Sequence, residues 1–546
     1  MIENTDSQEI ECLTPVALRR LLAGAGEIAV LDVRHEGFFT RSHLLQAVSA
    51  PLTRLELTID RLVPRLATPI VVVDEAEEIA AQAQRKLRAL GYSEVRILQG
   101  GTRGWVAAGH VAFSGMNVPG KAFGELVEHE LGTPAIDPLA LKKKLDDGED
   151  VVVLDSRTFR EFREFSIPGA ISCPTAELVY RFHELVKSPQ TLVVVNCAGR
   201  TRSIIGAQTL INAGVPNRVV SLRNSTMGWL FEGLPLANGK ATFAPVPSGE
   251  ALAQARERAG TMARHAGVPG ITREEYARMQ DEAAERTLYT FDVRTPEEYL
   301  AGHLPGARSA EGGQLVQAMD EYVGTKNARI VLVDHDGVRA QVVGSWLRQL
   351  GRSEVFVLDA RGELQLEAGA EPVRVRRERP MEVRWIGADE LQRSLAAEKA
   401  VVIDIESSLA FGDGHVPGAR FATRDRLADV VRTVDRDLEV VITSADGLLA
   451  GLTAEDLCRA GRSARALAGG TRTWSALGFP LDKAQEEFRP DEDIWYGPYS
   501  YPPELLHQHF RAYIDWELAL VQGAQRDGDT GLKPRNLSLG PTDLAA

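Results

Sequence analysis

The stretch VVLDSRTFREFREFSIPGAISCP, residues 152–174, decides the fold that we predict for the whole chain. It opens on a short apolar run that ends at Asp155, and Arg157 follows two residues later. Acidic and aromatic residues come next, and an Ile-Pro-Gly-Ala element follows them. A short apolar run that gives way to a helical pattern is typical of a strand and the helix that follows it.

The same pattern occurs in three other parts of the chain. Each part has an apolar run that ends on aspartate, followed by a helical turn. The Pro-Gly-Ala element is clear in the last three copies and degraded to SHLLQA in the first. The copies are separated by the length of a domain rather than of a solenoid repeat. They are residues 29–51, 289–311 and 401–423, with Asp32 and Arg34, Asp292 and Arg294, and Asp404 and Glu406 at the equivalent positions.

Each copy continues with two further apolar runs, separated by an alanine-rich helical pattern that ends near glycine. Three copies then reach a tryptophan in a helical turn, at Trp105, Trp229 and Trp474. Alternating strands and helices are typical of a parallel sheet that is covered on both faces. The predicted fold class is therefore α/β, with four tandem small, doubly wound parallel-sheet domains and an aromatic-rich C-terminal arm.

Breaks in the repeat pattern give the predicted domain boundaries. The stretch between the second and third copies contains a helical pattern of its own. The chain beyond the fourth copy is aromatic-rich and then polar, and we expect its polar end from Gly523 onward to be disordered. The predicted domains are residues 1–115, 121–240, 269–375 and 380–485, with a connecting helix at 241–268 and the arm and tail at 486–546; only 121–240 is predicted to be catalytic.

Composition and charge exclude several classes of protein. The 546 residues carry a formal net charge of −14, whereas nucleic-acid binding needs a basic face. We find neither an apolar run of about 18 residues, as a membrane span requires, nor a signal peptide. The four cysteines form neither a disulfide framework nor a zinc-binding spacing. We therefore expect a reduced, cytoplasmic compartment and no metal or cofactor.

The stretch VVVNCAGRTRSIIGAQ, residues 193–208, places a thiol between a buried strand and a helix. Cys197 follows the strand, and the helix is expected to begin near Ser203. Unpaired amides at a helix start, together with two arginines, favour an anionic sulfur, and Gly199 allows the loop to wrap around it. We predict that Cys197 is a nucleophile. The predicted anion-binding residues are Ala198, Gly199, Arg200, Thr201, Arg202 and Ser203.

The repeat supplies an internal comparison for this loop. Aligned letter by letter, Glu75, His335 and Ser444 stand at the position of Cys197, so one copy alone keeps the thiol. The two loop arginines are either anion ligands or solvated side chains. The hydroxyls of Thr201 and Ser203 either donate to the sulfur or cap the helix.

Four other residues of the second copy have predicted roles. Asp155 and Arg157 recur in copies without the thiol, so we interpret them as structural. Arg181 either steers anions at the mouth of the site or lies on a solvated helix face. Cys173 is a candidate resolving thiol.

The Asp-x-Arg pair, the His-x-Pro-Gly-Ala element, the cysteine loop and the GGxxxW ending together resemble the rhodanese family. The resemblance implies that Cys197 holds a sulfane sulfur as a persulfide, with the residues from Ala198 to Ser203 as its loop. It implies a small-molecule donor, thiosulfate or a persulfide, and a thiol or cyanide acceptor, including a thioredoxin-like or sulfur-carrier protein. The common family loop has glycine three residues after cysteine, where this chain has Arg200, which leaves the preferred donor open.

Two other functions remain compatible with the sequence. A cysteine-arginine anion loop also suits a phosphatase or an arsenate reductase, although those enzymes use a loop that is one residue longer. A non-catalytic scaffold is the third hypothesis, because three copies lack the thiol. No nucleic acid or membrane partner is expected, and a homodimer is compatible with the sequence.

Overall fold

The first repeat folds around a sheet of short strands, of which the two central ones are fully buried. In this computed structural model the chain is described at residues 11–362, 365–377, 379–484, 488, 490 and 493–538. The first ten residues of the first predicted domain thus lie outside the described residues. The elements of this domain are β1 (Cys12–Leu13), α1 (Pro15–Ala23), β2 (Ile28–Asp32), α2 (Glu36–Phe39), β3 (Val48–Ser49), α3 (Leu55–Leu62), β4 (Ile70–Val73), α4 (Ala80–Ala89), β5 (Val95–Leu98) and α5 (Gly101–Ala107).

A helix precedes the second repeat, which carries Cys197. The predicted domain 121–240 included most of this helix. This helix is α6 (Val118–Leu131), and it packs against the helix that follows Cys197. The elements of the second domain are β6 (Ala135–Ile136), α7 (Pro138–Asp146), β7 (Val151–Asp155), α8 (Phe159–Glu164), β8 (Ile171–Ser172), α9 (Glu177–Leu185), β9 (Leu192–Asn196), α10 (Thr201–Asn212), β10 (Val219–Leu222) and α11 (Ser225–Phe231).

The third repeat follows a long helix, α12 (Gly249–Ala266), which packs on both the second and the third domain. Its own elements are β11 (Gly270–Ile271), α13 (Arg273–Asp281), β12 (Leu288–Asp292), α14 (Pro296–Ala301), β13 (Arg308–Ser309), α15 (Gly312–Gln317), α16 (Met319–Tyr322), β14 (Thr325–Lys326), β15 (Arg329–Val333), α17 (Arg339–Gln349) and β16 (Val355–Leu358).

The fourth repeat is followed by the C-terminal arm. The elements are β17 (Trp385–Ile386), α18 (Ala388–Ala396), β18 (Ala400–Asp404), α19 (Ser408–Asp413), β19 (Arg420–Phe421), α20 (Leu427–Arg432), β20 (Glu439–Thr443), α21 (Leu448–Arg459), β21 (Ala464–Leu467), α22 (Gly470–Ala476) and, in the arm, α23 (Pro503–Asp527). Short 3₁₀ turns lie at Leu52–Arg54, Glu282–Ala284 and Pro498–Ser500.

Each repeat contains its own parallel sheet, which confirms the predicted fold class. The second sheet has the order β6-β10-β9-β7-β8, and its central strands are apolar because helices cover both faces. The third and fourth sheets follow the same order with their own strands. The three tryptophans of the repeat are buried, and each indole N–H donates to a carbonyl six residues later.

One strand departs from the parallel pattern and joins two domains. β14, from the third domain, pairs antiparallel with β2 of the first. The second and third domains are joined differently, because α12 packs between α9 and α17 and the buried residues of both domains form one apolar cluster. The first three domains are therefore joined by shared sheet and core contacts.

The expectation of a disordered tail from Gly523 onward is wrong for the residues that the structure describes. Gly523 lies within α23, and the following residues run along the third domain. The backbone N–H groups of Lys533 and Arg535 donate to Gln349, each over 2.8 Å, and Leu537 is only 3% exposed in the shared core. Burial of Leu537 and these backbone hydrogen bonds hold the segment against the third domain despite its polar composition. Residues 539–546 of the predicted tail lie outside the described residues.

Candidate active site

Cys197 lies at the carboxyl edge of the second sheet, where ligands of doubly wound folds bind. β9 ends at Asn196, and Asn196 pairs in register with Asp155 of β7. Helix α10 begins at Thr201, two residues before the predicted start at Ser203. The cysteine is 2% exposed, and the short loop between the strand and the helix encloses it.

The amides of this loop are free to bind an anion. Among the described residues, the backbone N–H groups of Ala198 to Ser203 donate no hydrogen bond. Unpaired N–H groups at a helix start carry partial positive charge and make a concave anion site when successive groups converge. We refer to residues 198–203 as the cysteine loop.

The other domains show what the equivalent loops bind, once the register is corrected. The N–H of Ser156 donates to Asn196, as the N–H of Val33 donates to Val73 and that of Val293 to Val333. The residues at the position of Cys197 in the first and third domains are therefore Asp74 and Asp334. The alignment with Glu75 and His335 was wrong by one residue because the polar Asn196 still belongs to its strand, at the position of Val73 and Val333; Ser444 keeps its place.

Both aspartates fill their own loops with a carboxylate. Asp74 accepts backbone N–H bonds from Glu77, Ile79 and Ala80 over 2.5, 2.7 and 3.0 Å. Asp334 accepts three similar bonds, from Gly337, Val338 and Ala340 over 2.6, 2.9 and 3.0 Å, with the middle donor one position earlier in the loop. In the fourth domain, Ser444 Oγ accepts one such bond from Ala450 over 3.2 Å. The loop of this fold therefore binds an anion in two domains of the same chain.

The side chain of Arg200 does not point at the sulfur. It forms a bidentate ion pair with Glu125 of α6, both bonds measuring 2.8 Å, and a further one with Glu128. A third contact, over 3.0 Å, goes to Asn224 Oδ1. Burial alone would lower the pKa of Arg200, but these carboxylates raise it above its ordinary value. Arg200 thus fastens the loop to α6.

Arg202 is paired in the same manner on the other side of the loop. Its guanidinium donates to Glu161 over 2.7 and 2.8 Å, and to Gln314 of the third domain over 2.9 Å. Its Nε is buried without a hydrogen-bond partner in the described part of the chain. Burial alone would lower the pKa of Arg202, but the charge and the hydrogen bonds of Glu161 raise it above its ordinary value.

The hydroxyls of the loop neither cap the helix nor bond the sulfur directly. Ser203 Oγ donates to the carbonyl of Arg200 over 2.7 Å. Thr201 Oγ1 donates to Glu517, a residue of the arm, over 3.3 Å. The N-cap residue of α10 is Arg200, without a side-chain cap.

Asp155 and Arg157 form a buried ion pair beneath the loop. Arg157 is 0% exposed and donates to Asp155 over 2.9 and 2.7 Å and to the carbonyl of Phe165 over 2.6 Å. Asn196 also donates to Asp155, over 3.1 Å. The pairs at Arg34 and Arg294 repeat this geometry in domains that lack the thiol. The pair ties the strand end to the turn after the next helix.

Ser225 is the one residue whose side chain bonds Cys197 Sγ in the described part of the structure, and sequence reasoning missed it. Its Oγ accepts from the N–H of Cys197 over 2.9 Å and lies 3.4 Å from Sγ and 3.0 Å from Ser203 Oγ. Its single proton can therefore go to the sulfur. Ser225 has φ +48°, in the left-handed region, where the first and fourth domains have Gly101 and Gly470. The sequence signal for Ser225 was the triplet NST at residues 224–226, where the first and fourth copies have GGT.

Replacing Ser225 by glycine tests separately the backbone strain at this position and the hydrogen bond of its hydroxyl. The left-handed conformation costs a non-glycine residue about 1–2 kcal/mol. Its relief offsets the loss of the acceptor for the buried Cys197 N–H, which costs about 1–3 kcal/mol, so Ser225→Gly should unfold close to the wild-type temperature. Loss of a hydrogen bond to an anionic sulfur should slow the reactions of Cys197 roughly tenfold or more. Alkylation kinetics and thermal unfolding check both results. Asn224→Gly, at φ +53°, relieves similar strain but keeps the hydroxyl; an equal loss of reactivity there would contradict the assignment.

The C-terminal arm covers the cysteine loop. The hydroxyl of Tyr499 donates to the carbonyl of Ala198 over 3.0 Å and lies 2.6 Å from Thr226 Oγ1. Helix α23 places Tyr513 and Glu517 over Gly199, where an added Cβ would lie 3.2 Å from the Tyr513 ring and 3.4 Å from Glu517 Oε2. Glycine at 199 thus lets the arm pack directly on the loop.

A buried lysine helps to hold the arm in place. The Lys121 ammonium of α6 lies 4.9 Å from the ring centroids of Trp495 and Trp516 and 5.1 Å from that of Tyr513. Burial lowers the pKa of Lys121 to about 8, although Glu517 and Asp320 oppose the shift. Such an aromatic enclosure stabilises a cation that lacks water.

The structure overturns the interpretation of Arg181 as a residue of a solvated helix face. This side chain is 6% exposed, so it does not lie on a solvated helix face. It is paired with Glu177 and donates to the carbonyl of Ala244 over 2.7 Å, so its charge is already satisfied and we assign it no steering role. Cys173 is buried in the apolar core, and burial raises its pKa, which does not suit a resolving thiol.

Comparisons with known proteins agree with this architecture. The model of the rhodanese-like domain matches residues 14–108, 137–232, 272–360 and 387–477. A solved thiosulfate sulfurtransferase from Pseudomonas aeruginosa is 42% identical, with a TM-score of 0.90, and the alignment covers 96% of this chain and 99% of that one.

Two curated proteins resemble single domains of the chain. A sulfurtransferase from Allochromatium vinosum is 34% identical over 101 residues, which are 18% of this chain and 92% of its own length. The thiosulfate sulfurtransferase GlpE from Pseudomonas putida is 34% identical over 89 residues, 16% and 80% of the respective lengths. Within the described residues, none of the helices is long and apolar enough to span a membrane.

Proposed function

Because this chain belongs to the rhodanese family, we propose that its second domain is a sulfurtransferase in which Cys197 carries a sulfane sulfur from donor to acceptor. The donor is thiosulfate or a persulfide. The acceptor is cyanide or a thiol, and the thiol includes that of a thioredoxin-like or sulfur-carrier protein. The transferred sulfur is held covalently, so the proposal needs no metal or cofactor.

The observation that carries the proposal is the carboxylate in the loops of the first and third domains. An aspartate Oδ and the outer sulfur of a cysteine persulfide are both two bonds from Cβ. In the first domain, Oδ atoms accept from the N–H groups three, five and six residues after the aspartate. The same offsets from Cys197 give the free N–H groups of Arg200, Arg202 and Ser203. These free N–H groups therefore suit the size and the negative charge of the outer persulfide sulfur.

The reaction follows from these contacts. The Cys197 thiolate attacks the outer sulfur of thiosulfate, a new S–S bond forms, and sulfite departs with the electron pair of the bond that breaks. The enzyme then carries Cys197-S-S⁻, with the outer sulfur among the loop amides. An acceptor such as cyanide attacks that sulfur, thiocyanate leaves, and the electron pair of the second S–S bond returns to Cys197 as thiolate. No net oxidant or reductant is used.

Steady-state kinetics test this proposal. Initial rates of thiocyanate formation, with thiosulfate and cyanide both varied, should give parallel double-reciprocal lines, because the two substrates never occupy the enzyme together. An aryl phosphate and arsenate are assayed beside them. Turnover of either, with none of thiosulfate or of a glutathione persulfide, would replace the proposal by the phosphatase or arsenate-reductase hypothesis.

The other three domains have a different chemistry at this position. Asp74, Asp334 and Ser444 lack a sulfur nucleophile, and the two aspartates already occupy their loops. We propose that these domains do not transfer sulfur. They support the catalytic domain instead, as Gln314 of the third domain does by accepting from Arg202.

A further inference from the structure

The three arginines nearest Cys197 in sequence or beneath its loop are each paired with carboxylates of the protein. Arg157 is paired with Asp155, Arg202 with Glu161, and Arg200 with two carboxylates. The cysteine loop therefore offers amides but no unpaired arginine to a donor. A further negative charge close to the loop then decides how well an anionic donor is accepted.

Glu517 supplies such a charge, from the arm. Its side chain is 1% exposed, and its Oε1 accepts from Tyr513 over 3.0 Å and from Thr201 over 3.3 Å. Its Oε2 is buried, has no hydrogen-bond partner among the described residues and faces Gly199 of the loop. A buried carboxylate oxygen without a partner is costly for structure alone. This oxygen faces the loop that encloses Cys197.

We propose that Glu517 is a specificity-determining residue that sets the charge of the molecules reaching Cys197: anionic reactants are admitted when Glu517 carries a proton and are disfavoured when it is ionised. The proposal deepens the proposed function, because it names the charge class of the donor, and it rests on Cys197 being the reactive thiol of that site.

The surroundings of Glu517 make this switch act near neutral pH. Burial raises the pKa of Glu517 to about 7, although Lys121 opposes the shift; Glu125 raises it further, and Tyr513 and Arg200 lower it. These groups belong to α6, α23 and the cysteine loop, the elements packed against Glu517. The carboxyl is neutral below its pKa and charged above it. Preference for anionic reactants is therefore present at acid pH and is lost as the pH rises through that value.

The ratio of two competing alkylation rates at Cys197 measures this preference directly. Iodoacetate is an anion and iodoacetamide is neutral, and both react with the same thiolate, so the ratio of their rates cancels the titration of Cys197 and the opening of the arm. In the full-length protein, the iodoacetate-to-iodoacetamide ratio at Cys197 should fall roughly tenfold between about pH 5.5 and 7.5. Burial lowers the pKa of Lys121 to about 8, so Lys121 keeps most of its charge across this window. The exposed Cys458 serves as reference in the same molecule.

Three variants make the test specific. Glu517→Gln keeps the shape, removes the charge and should hold the ratio at its acid value throughout. Glu517→Asp keeps the carboxyl and should keep a pH dependence. Glu504→Gln, an exposed residue of the same helix, should behave as the wild type. An unchanged fall of the ratio in Glu517→Gln, or no fall in the wild type, would overturn the proposal.

Persulfide formation from thiosulfate, measured on the same samples, separates this proposal from the proposed function. If the ratio responds to Glu517 but neither thiosulfate nor glutathione persulfide transfers sulfur, the charge selection stands and the sulfurtransferase proposal fails. If a persulfide forms with a ratio that ignores Glu517, the function stands and the charge selection fails. If both hold, Glu517→Gln should also remove the decline of thiosulfate kcat/KM above neutral pH.

Discussion

Cys197→Ser is expected to abolish sulfur transfer from thiosulfate to cyanide, with a fall in kcat/KM of at least about 10³-fold. The serine hydroxyl is not ionised at neutral pH and cannot carry a sulfane sulfur, and the other domains offer Asp74, Asp334 and Ser444 in place of the thiol. Thiocyanate formation measures the loss.

Two control variants make that result specific to Cys197. Cys12→Ser removes an exposed cysteine and should leave turnover unchanged. Cys197→Asp should fold and stay inactive, because its carboxylate reproduces the arrangement at Asp74. Residual turnover of Cys197→Ser near the wild-type rate would place the chemistry elsewhere in the chain.

Asp155→Ala is expected to destabilise the second domain by about 3–5 kcal/mol, because it leaves the fully buried guanidinium of Arg157 without its carboxylate. The thiol of Cys173 is buried in that domain and is alkylated only when the domain opens. In a Cys197→Ser background, its labelling rate in urea should rise at least about a hundredfold.

The matched control is Asp147→Ala, which removes an exposed ion pair with Lys143 in the same domain. Such pairs add little to stability, so labelling of Cys173 should be unchanged within error. Equal labelling of Asp155→Ala and Asp147→Ala would contradict the structural role of the buried pair. Asp155 would then have to be reconsidered as a residue of the reaction itself.

The fold could be predicted from the sequence because its signals are local and occur four times. An apolar run, an aspartate and a helical turn specify a strand and its crossover helix, and repetition removed the ambiguity of any one copy. The position of Cys197 at a strand end was predicted for the same reason. The register of the other copies could not be predicted, because Asp-Glu of the first copy and Asn-Cys of the second align equally well at a strand end. The hydrogen bonds to the carbonyls of Val73 and Val333 establish the correct register.

The partners of the loop could not be predicted, because they come from distant parts of the chain. Arg200 is neutralised by Glu125 of α6, a helix that has no equivalent in the repeat pattern. Tyr499 and Glu517 reach the loop from an arm more than 300 residues away in sequence. Ser225, by contrast, could have been found, because this copy has NST where the first and fourth copies have GGT.

The mass of the intact protein after incubation with thiosulfate, followed by peptide mapping, shows whether Cys197 carries the transferred sulfur. We expect a gain of one sulfur atom in the wild type, located on the peptide that contains Cys197 and removed by cyanide with release of thiocyanate. Cys197→Ser should gain nothing. A sulfur found on another cysteine, or no gain from thiosulfate and glutathione persulfide while Cys197 is still alkylated, would contradict the account.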